Sequence, residues 1–286
     1  HVGRDFRSRY GDIPGGRLVP LALGRFGGGE LTSQSDLDLI LLFTGSFETR
    51  STATPSLSAS AWFNRLGQRL IGALTAPTAA GALYAIDSRL RPSGADGLLS
   101  VSLDSFERYQ LQQAGLLEQM AMTRARPIAC TAEDMASAQA MIDRIVTAPR
   151  DAATLFPEAA ELRRYMARHK PPVGPFDVKL MKGGLVDLEF IVQGKALTSG
   201  QPVQPALDEA IRQLVPALGE PARLMMDLLI TLRLVQPHDS AAMPDSASAA
   251  AIARACGRAS FGQLQADLGK ARDAVNTAWM ETFTTN

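Results

Sequence analysis

The sequence predicts an α+β protein, with an α/β part to about residue 128 and a mostly helical remainder. Two apolar runs of strand length lie near the start, Leu18–Leu23 and Asp36–Phe43, and Leu83–Arg91 reads as a third strand. Beyond about residue 130 strand signals nearly vanish, and apolar residues recur at three- and four-residue intervals. Strands gathered early and helices late are the pattern of segregated layers. Residues 1–128 are therefore assigned to an α/β domain and 129–286 to a helical domain.

Leu18–Leu23 ends in Gly24, and the turn Gly27-Gly28-Gly29 follows, with polar residues to Ser35. Asp36–Phe43 is rich in large aliphatics and bounded by Gly45, which suits a buried strand. Residues 45–60 have the Ser, Thr, Ala and Pro composition of a loop. Phe63, Leu66, Leu70 and Leu74 predict a helix, punctuated by Pro77 and Gly81. The third strand is stopped by the turn signal Pro92-Ser93-Gly94, and residues 104–122 return to helical spacing through Phe106, Tyr109, Leu116 and Met120. In the second part, helices are expected around Leu162, Tyr165, Met166 and His169, around Leu224 to Val235 with Pro221 in the first turn, and around Leu264 to Trp279. Phe176–Leu180 reads as a short extended piece before Gly183-Gly184, and residues 237–250 as a loop. There is no internal repeat.

The 286 residues are 46% hydrophobic and 20% charged, so a sizeable core can form. Lys plus Arg equals Asp plus Glu at 29 each, so bulk charge does not point to a nucleic-acid partner. Cys130 and Cys256 are too few and too far apart for a zinc site or a disulfide framework, and two buried thiols are expected. No apolar run is long enough to cross a bilayer and no signal peptide is visible, so no membrane partner is expected and the cytoplasm is the default. The chain begins at His1 rather than Met, which reads as a processed or excised piece.

The chemistry resides in the carboxylates. On a strand, Asp36 and Asp38 project to one side while Leu37 and Leu39 project to the other. Two adjacent carboxylates repel and resist burial, a conflict that a hard cation such as Mg2+ resolves while sharing phosphate oxygens. A third carboxylate from a neighbouring strand could bridge a second ion, and two metals about 4 Å apart can activate a hydroxyl and stabilise a leaving phosphate. Asp87 is the candidate. By the two-residue period, Asp87, Arg89 and Arg91 share a face, a row that suits a triphosphate. Gly27 and Gly28 let backbone approach a phosphate. No Gly-Lys-Ser or Gly-Lys-Thr follows, so this is not a Walker loop, and the glycine spacing is not that of a dinucleotide-binding fingerprint. Taken without chemistry, the same residues are a strand end in water and a salt-bridged surface strand. Asp187 and Glu189 point in different directions on a helix, so Lys179 to Glu189 reads first as packing of the helical part, with Lys179 at a phosphate as the alternative. His169 and His238 lack partners at metal spacing and read as surface or packing residues.

At these residues the chain resembles the polymerase-β-type nucleotidyltransferase superfamily, whose pattern is Gly-Gly or Gly-Ser, a spacer, Asp-X-Asp and a distant third Asp. The resemblance is closer than that. Gly24 to Leu31, Ser35 to Leu39, Leu83 to Gly94 and Phe176 to Phe190 all resemble the glutamine synthetase adenylyltransferase family, also called glutamate–ammonia-ligase adenylyltransferase, and the likeness runs from about residue 18 to about 195. It departs at Gly115, Leu117 and Gln119, where the family usually carries Trp-X-Trp-Glu-His around Glu118.

The resemblance implies a polymerase-β-like domain, a mixed sheet with flanking helices, followed by an all-helical bundle. It implies two related units on one chain: one moves AMP from ATP to a tyrosine of glutamine synthetase, and the other removes it with phosphate, yielding ADP. Arg91-Pro92-Ser93-Gly94 resembles the attaching half, because the removing half tends to carry Phe at the position of Ser93. The expected site is then Asp36, Asp38 and Asp87 as catalytic metal ligands, with Gly27, Gly28, Ser35, Arg89 and Arg91 toward the nucleotide. Mg2+ is the implied cofactor and ATP the implied substrate. Glutamine synthetase is the implied protein partner, with a PII regulatory protein and glutamine as effectors in nitrogen metabolism. Removal of AMP, and a non-catalytic regulatory or binding unit on the same fold, are the alternatives.

Overall fold

The computed structural model describes residues 1–79, 81, 84–236 and 241–284. The chain divides into two compact units, His1–Ala148 and Pro149–Asn286.

The first unit is α+β. It runs α1 (Val2–Tyr10), β1 (Leu18–Ala22), α2 (Gly24–Gly27), β2 (Leu37–Phe43), α3 (Ala59–Leu74), β3 (Ile86–Asp87), β4 (Ser100–Ser102), α4 (Leu103–Gln112), α5 (Leu116–Met122), β5 (Arg126–Pro127) and α6 (Ala132–Thr147). The sheet is mixed, in the order β3-β2-β1-β5, with β4 also on β2. β1 pairs antiparallel to β2 from Leu18↔Phe43 to Ala22↔Leu39. β3 and β4 both run parallel to β2, β3 at its first residues and β4 at its last. Leu39 to Phe43 are all buried, as in a strand covered on both faces, while Asp36, Leu37 and Asp38 stand at its more open start.

α3 supplies much of the cover. Ser58 caps it by accepting from the Ala61 amide, and its Trp62, Phe63 and Leu66 pack with Phe6, Ile13 and Phe43. Phe43 and Phe63 stack at 4.5 Å, and the Trp62 indole donates to the Gly11 carbonyl. The expected apolar stripe fades toward the helix end, where Leu74 is exposed. The single helix expected over 104–122 is two helices. α4 stops at Gln112, and the Glu118 carboxylate accepts the Gly115 amide to start α5. α6 packs on α4, α5, β1 and β5, so the first unit extends through Ala148 rather than ending near 128.

The second unit is helical: α7 (Ala152–His169), α8 (Leu185–Ser199), α9 (Leu207–Leu214), α10 (Gly219–Val235), α11 (Ser246–Ala255) and α12 (Phe261–Phe283). Its core joins Leu188, Ile191, Leu228, Leu232, Leu268 and Val275. Two details differ from the sequence reading and one, in α7, extends it. Phe176–Leu180 is a turn, because the Asp177 carboxylate accepts the Lys179 and Leu180 amides. α7 buries Leu155, Phe156, Ala159 and Arg163 and leaves Tyr165 and His169 exposed, since Asp187 draws the Arg163 guanidinium inward. α11 begins inside the expected 237–250 loop, where Asp245 caps it by accepting from Ala247 and Ser248; residues 237–240, His238 among them, lie outside the described residues.

Candidate active site

Two strands meet at the acidic edge. Asp38 and Asp87 are register partners across the parallel β2–β3 pair, with Leu37 opposite Ile86 one step earlier. Neighbouring strands lie about 4.8 Å apart, so the two aspartates leave the same face as close neighbours. Asp36 precedes them by one strand period and is exposed, while Asp38 and Asp87 are half-buried.

The third expected strand is shorter than its sequence pattern. Within the described residues it covers only Ile86–Asp87, and Leu83 lies outside them. The Asp87 carboxylate accepts the Arg89 backbone amide at 2.9 Å, a side-chain turn that ends the strand. The two-residue period therefore does not carry through Arg89 and Arg91, and the two arginines part. Arg89 reaches back to Asp87. Its Nε lies 3.0 Å from both carboxylate oxygens, and its Nη2 bonds Oδ2. Arg91 turns into its own loop, donating to the Ser88 carbonyl at 2.7 Å, the Ser88 hydroxyl at 3.0 Å and the Ala95 carbonyl at 2.9 Å. Hydrogen bonding from Arg89 holds the Asp87 carboxyl below the usual carboxylate range, against a smaller upward push from burial. Arg89 is in turn stabilised as a cation by Asp87 first, and also by Asp36 and Asp38.

The glycine turn is built for close approach of backbone. Gly24 sits at φ +54°, and a Cβ there would lie 2.6 Å from Asp38 Oδ2, so the carboxylate of Asp38 occupies the space above it. Gly27 is buried, and a Cβ on it would come within 1.9 Å of the Arg124 carbonyl oxygen. Its smoothness thus serves packing against the chain leading into β5. Gly28 follows it, with its amide donating to the Gly24 carbonyl at 3.1 Å. Ser35 is buried, and its hydroxyl accepts the Thr32 amide at 2.9 Å while meeting the Thr32 hydroxyl at 3.0 Å.

Sequence reasoning singled out neither Glu30, Arg124 nor Arg126. The Arg126 guanidinium donates to the carbonyls of Gly27, at 2.8 Å, and Phe26, and the nearly buried Arg124 pairs with Glu30. These contacts fix the turn that faces Asp38. The one available signal is Arg124-Ala125-Arg126 directly before Pro127, a two-residue alternation at a strand edge.

The donor set at this edge is made of carboxylate oxygens, which suits Mg2+, and a cation already neutralises one of them in the form of Arg89. Among the described residues, no three His, Cys, Asp or Glu side chains converge closely enough to hold a metal ion as they stand. His169 stacks on Tyr165 at 4.0 Å and bonds its carbonyl. Cys256 is buried, Cys130 is partly exposed, and both are free thiols. Asp187 is buried in the second unit, accepting from Arg163 Nε at 2.5 Å and from the Gly183 amide at 2.6 Å. Among the described residues no helix is long and apolar enough to cross a membrane.

Fold and site define an α+β unit that carries an acidic edge on a short mixed sheet, beside a glycine turn, in a chain whose other unit is helical. Residues 7–141 match the family model described as glutamate-ammonia ligase adenylyltransferase. The chain is 39% identical over 233 residues to the bifunctional glutamine synthetase adenylyltransferase/adenylyl-removing enzyme of Brucella suis biovar 1, covering 80% of this chain and 24% of that protein. The protein of the same name from Mesorhizobium japonicum is 40% identical over 224 residues, covering 77% and 23%. That from Agrobacterium fabrum is 42% identical over 194 residues, covering 68% and 20%. The chain belongs to the glutamate-ammonia ligase adenylyltransferase family, and it spans between a fifth and a quarter of the length of these relatives.

Proposed function

We infer that this chain is an adenylylating unit. On this reading, a polymerase-β-like first unit moves AMP from ATP to a tyrosine hydroxyl of glutamine synthetase. The observation that carries it is the register pairing of Asp38 with Asp87 above Gly24, with Asp36 one period away and Arg89 at hand.

Asp36, Asp38 and Asp87 would hold Mg2+, which supplies charge neutralisation at the phosphates and favours ionisation of the acceptor hydroxyl. The tyrosine oxygen forms a bond to the α-phosphorus as the bond to the leaving pyrophosphate breaks. Its proton goes to Asp87 or to water. Arg89 is the arm that can reach a triphosphate, since it is 80% exposed. Arg91 supports from behind by holding the loop after Asp87. Gly27, Gly28 and Ser35 shape the turn against which the phosphates lie. Catalysis then comes from positioning and charge neutralisation.

The name of the relatives carries both activities, so removal of AMP by phosphate, yielding ADP, is the second reading. Incubation with ATP and unmodified glutamine synthetase, and separately with phosphate and the modified form, distinguishes them. AMP incorporation that is lost in Asp38→Asn supports the first reading, and ADP release with no incorporation replaces it by the second. A fully active, folded Asp38→Asn variant removes the site assignment. A PII protein as effector is a further expectation, tested by adding it to the same assay.

A further inference from the structure

We propose that Arg89 is an intramolecular latch on Asp87: its guanidinium fills the carboxylate that a divalent cation would take, and a polyphosphate draws it away. The identity of the polyphosphate rests on the function inferred above.

The contacts occupy both oxygens of Asp87, with the single Nε–H shared between them. Oδ1 accepts the Arg89 backbone amide and Nε, and Oδ2 accepts Nε and Nη2. Three N–H groups stand on a carboxylate that offers about four lone-pair sites, and the guanidinium sets its positive charge where a metal ion would sit, so a cation gains full access to Asp87 once the side chain of Arg89 leaves. That departure is easy. Arg89 is 80% exposed, and an ion pair so open to water is weak. Arg91 provides the contrast, because its guanidinium is pinned by backbone carbonyls on both sides of its loop. One arginine thus fixes the loop while the other swings from it.

The arm is also held in the right neighbourhood. Asp36 and Asp38 add their attraction to that of Asp87, so Arg89 feels the charge of all three carboxylates. There it lessens the repulsion between Asp38 and its register partner. A phosphate offers a guanidinium a fork of oxygens at least as good as a carboxylate does. When the phosphate takes Arg89, Asp87 is released to the cation. Cation and polyphosphate then bind with a coupling that runs through Arg89, and the coupling is reciprocal.

The test is a binding measurement. Mn2+ is titrated calorimetrically into the whole chain, with and without α,β-methylene-ATP, in wild type, Arg89→Gln, Arg89→Lys, Asp87→Asn and the Arg89→Gln/Asp87→Asn pair. Arg89→Gln is expected to bind Mn2+ on the order of tenfold tighter without nucleotide. Arg89→Lys, which keeps the charge and loses the fork, falls between. The gain vanishes on the Asp87→Asn background, because the carboxylate that was released is gone. With the analogue present, the difference between wild type and Arg89→Gln closes. Unchanged or weaker Mn2+ binding in Arg89→Gln, or a gain that survives Asp87→Asn, overturns the latch. So does an absence of Mn2+ binding in every variant. A chain that shows the coupling yet transfers no AMP keeps the latch and loses the adenylylating function. Transfer without the coupling does the reverse.

Discussion

Asp38 and Asp87 lie directly opposite one another on two parallel strands, and the guanidinium of Arg89 clasps the second of them. Like charges facing across a pair of strands oppose folding, by about 0.2–1 kcal/mol for a direct pair. Asp38→Asn is therefore expected to unfold no earlier than wild type in urea, and somewhat later. The same variant is expected to lose AMP transfer on the order of 100-fold or more, since it removes half of the facing charge. Stability retained together with activity lost marks a functional residue. A parallel fall of both would mark a structural one.

Much of this edge is legible in the sequence, and the reasons differ by residue. Leu37 to Phe43 is an apolar run of strand length, so β2, with Asp38 near its start, follows from period alone. The register that sets Asp38 against Asp87 does not, because no local pattern encodes which residues of two strands meet. The fates of Arg89 and Arg91 were hidden for a different reason. Asp87 bonds the chain two residues on and ends its own strand, so an alternation that looks continuous stops at Asp87. Arg124 and Arg126 act on a turn about 100 residues earlier, and only the folded chain brings them there. In the helical unit the periodicity gives α12 its buried stripe of Leu264, Leu268, Ala271 and Val275. In α7 a buried ion pair, Arg163 with Asp187, joins Leu155, Phe156 and Ala159 on the inner face.

That ion pair yields a second prediction. Arg163 and Asp187 are 10% and 7% exposed, and Asp187 also accepts the Gly183 amide. Removing one partner strands the other charge away from water, which costs about 3–5 kcal/mol. Asp187→Ala is expected to lower the unfolding free energy of the helical unit by that amount, seen as a lower urea midpoint. Arg163→Met together with Asp187→Leu, which removes both charges, recovers part of the loss. Equal losses in the single and double variants would mean that packing, rather than charge, is what the pair provides.

Acid sensitivity should appear at Asp134. Its side chain is buried and takes a two-pronged contact from Arg17, at 2.6 and 2.8 Å. The hydrogen bond from Arg17 is the largest cause holding its carboxyl below the ordinary value of 3.8, against the upward push of burial. The folded state therefore binds fewer protons than the unfolded chain as the pH drops through that region. The contribution of the pair is whole above about pH 4 and is lost as pH falls through the lowered folded value. Urea unfolding of wild type and Asp134→Asn is expected to differ equally at pH 7 and pH 5, and less at pH 3. A gap that stays constant to pH 3 would assign the contact to shape rather than charge.

Gly24 joins fold and chemistry at one atom. Its φ of +54° is a left-handed conformation, which costs about 1–2 kcal/mol once a Cβ is present. The added methyl would also stand 2.6 Å from Asp38 Oδ2, closer than van der Waals contact allows. Asp38 is half-buried at the open start of its strand, so its side chain can yield where backbone could not. Gly24→Ala is thus expected to fold with a modest loss of stability and to displace the Asp38 carboxylate. AMP transfer and Mn2+ affinity should fall together. Gly27→Ala meets the Arg124 carbonyl oxygen instead, at 1.9 Å, and a backbone group cannot step aside. Its larger effect should be on folding, seen as a lower melting temperature. If Gly24→Ala kept full activity, the closeness of Gly24 to Asp38 would be a packing feature with no bearing on the reaction.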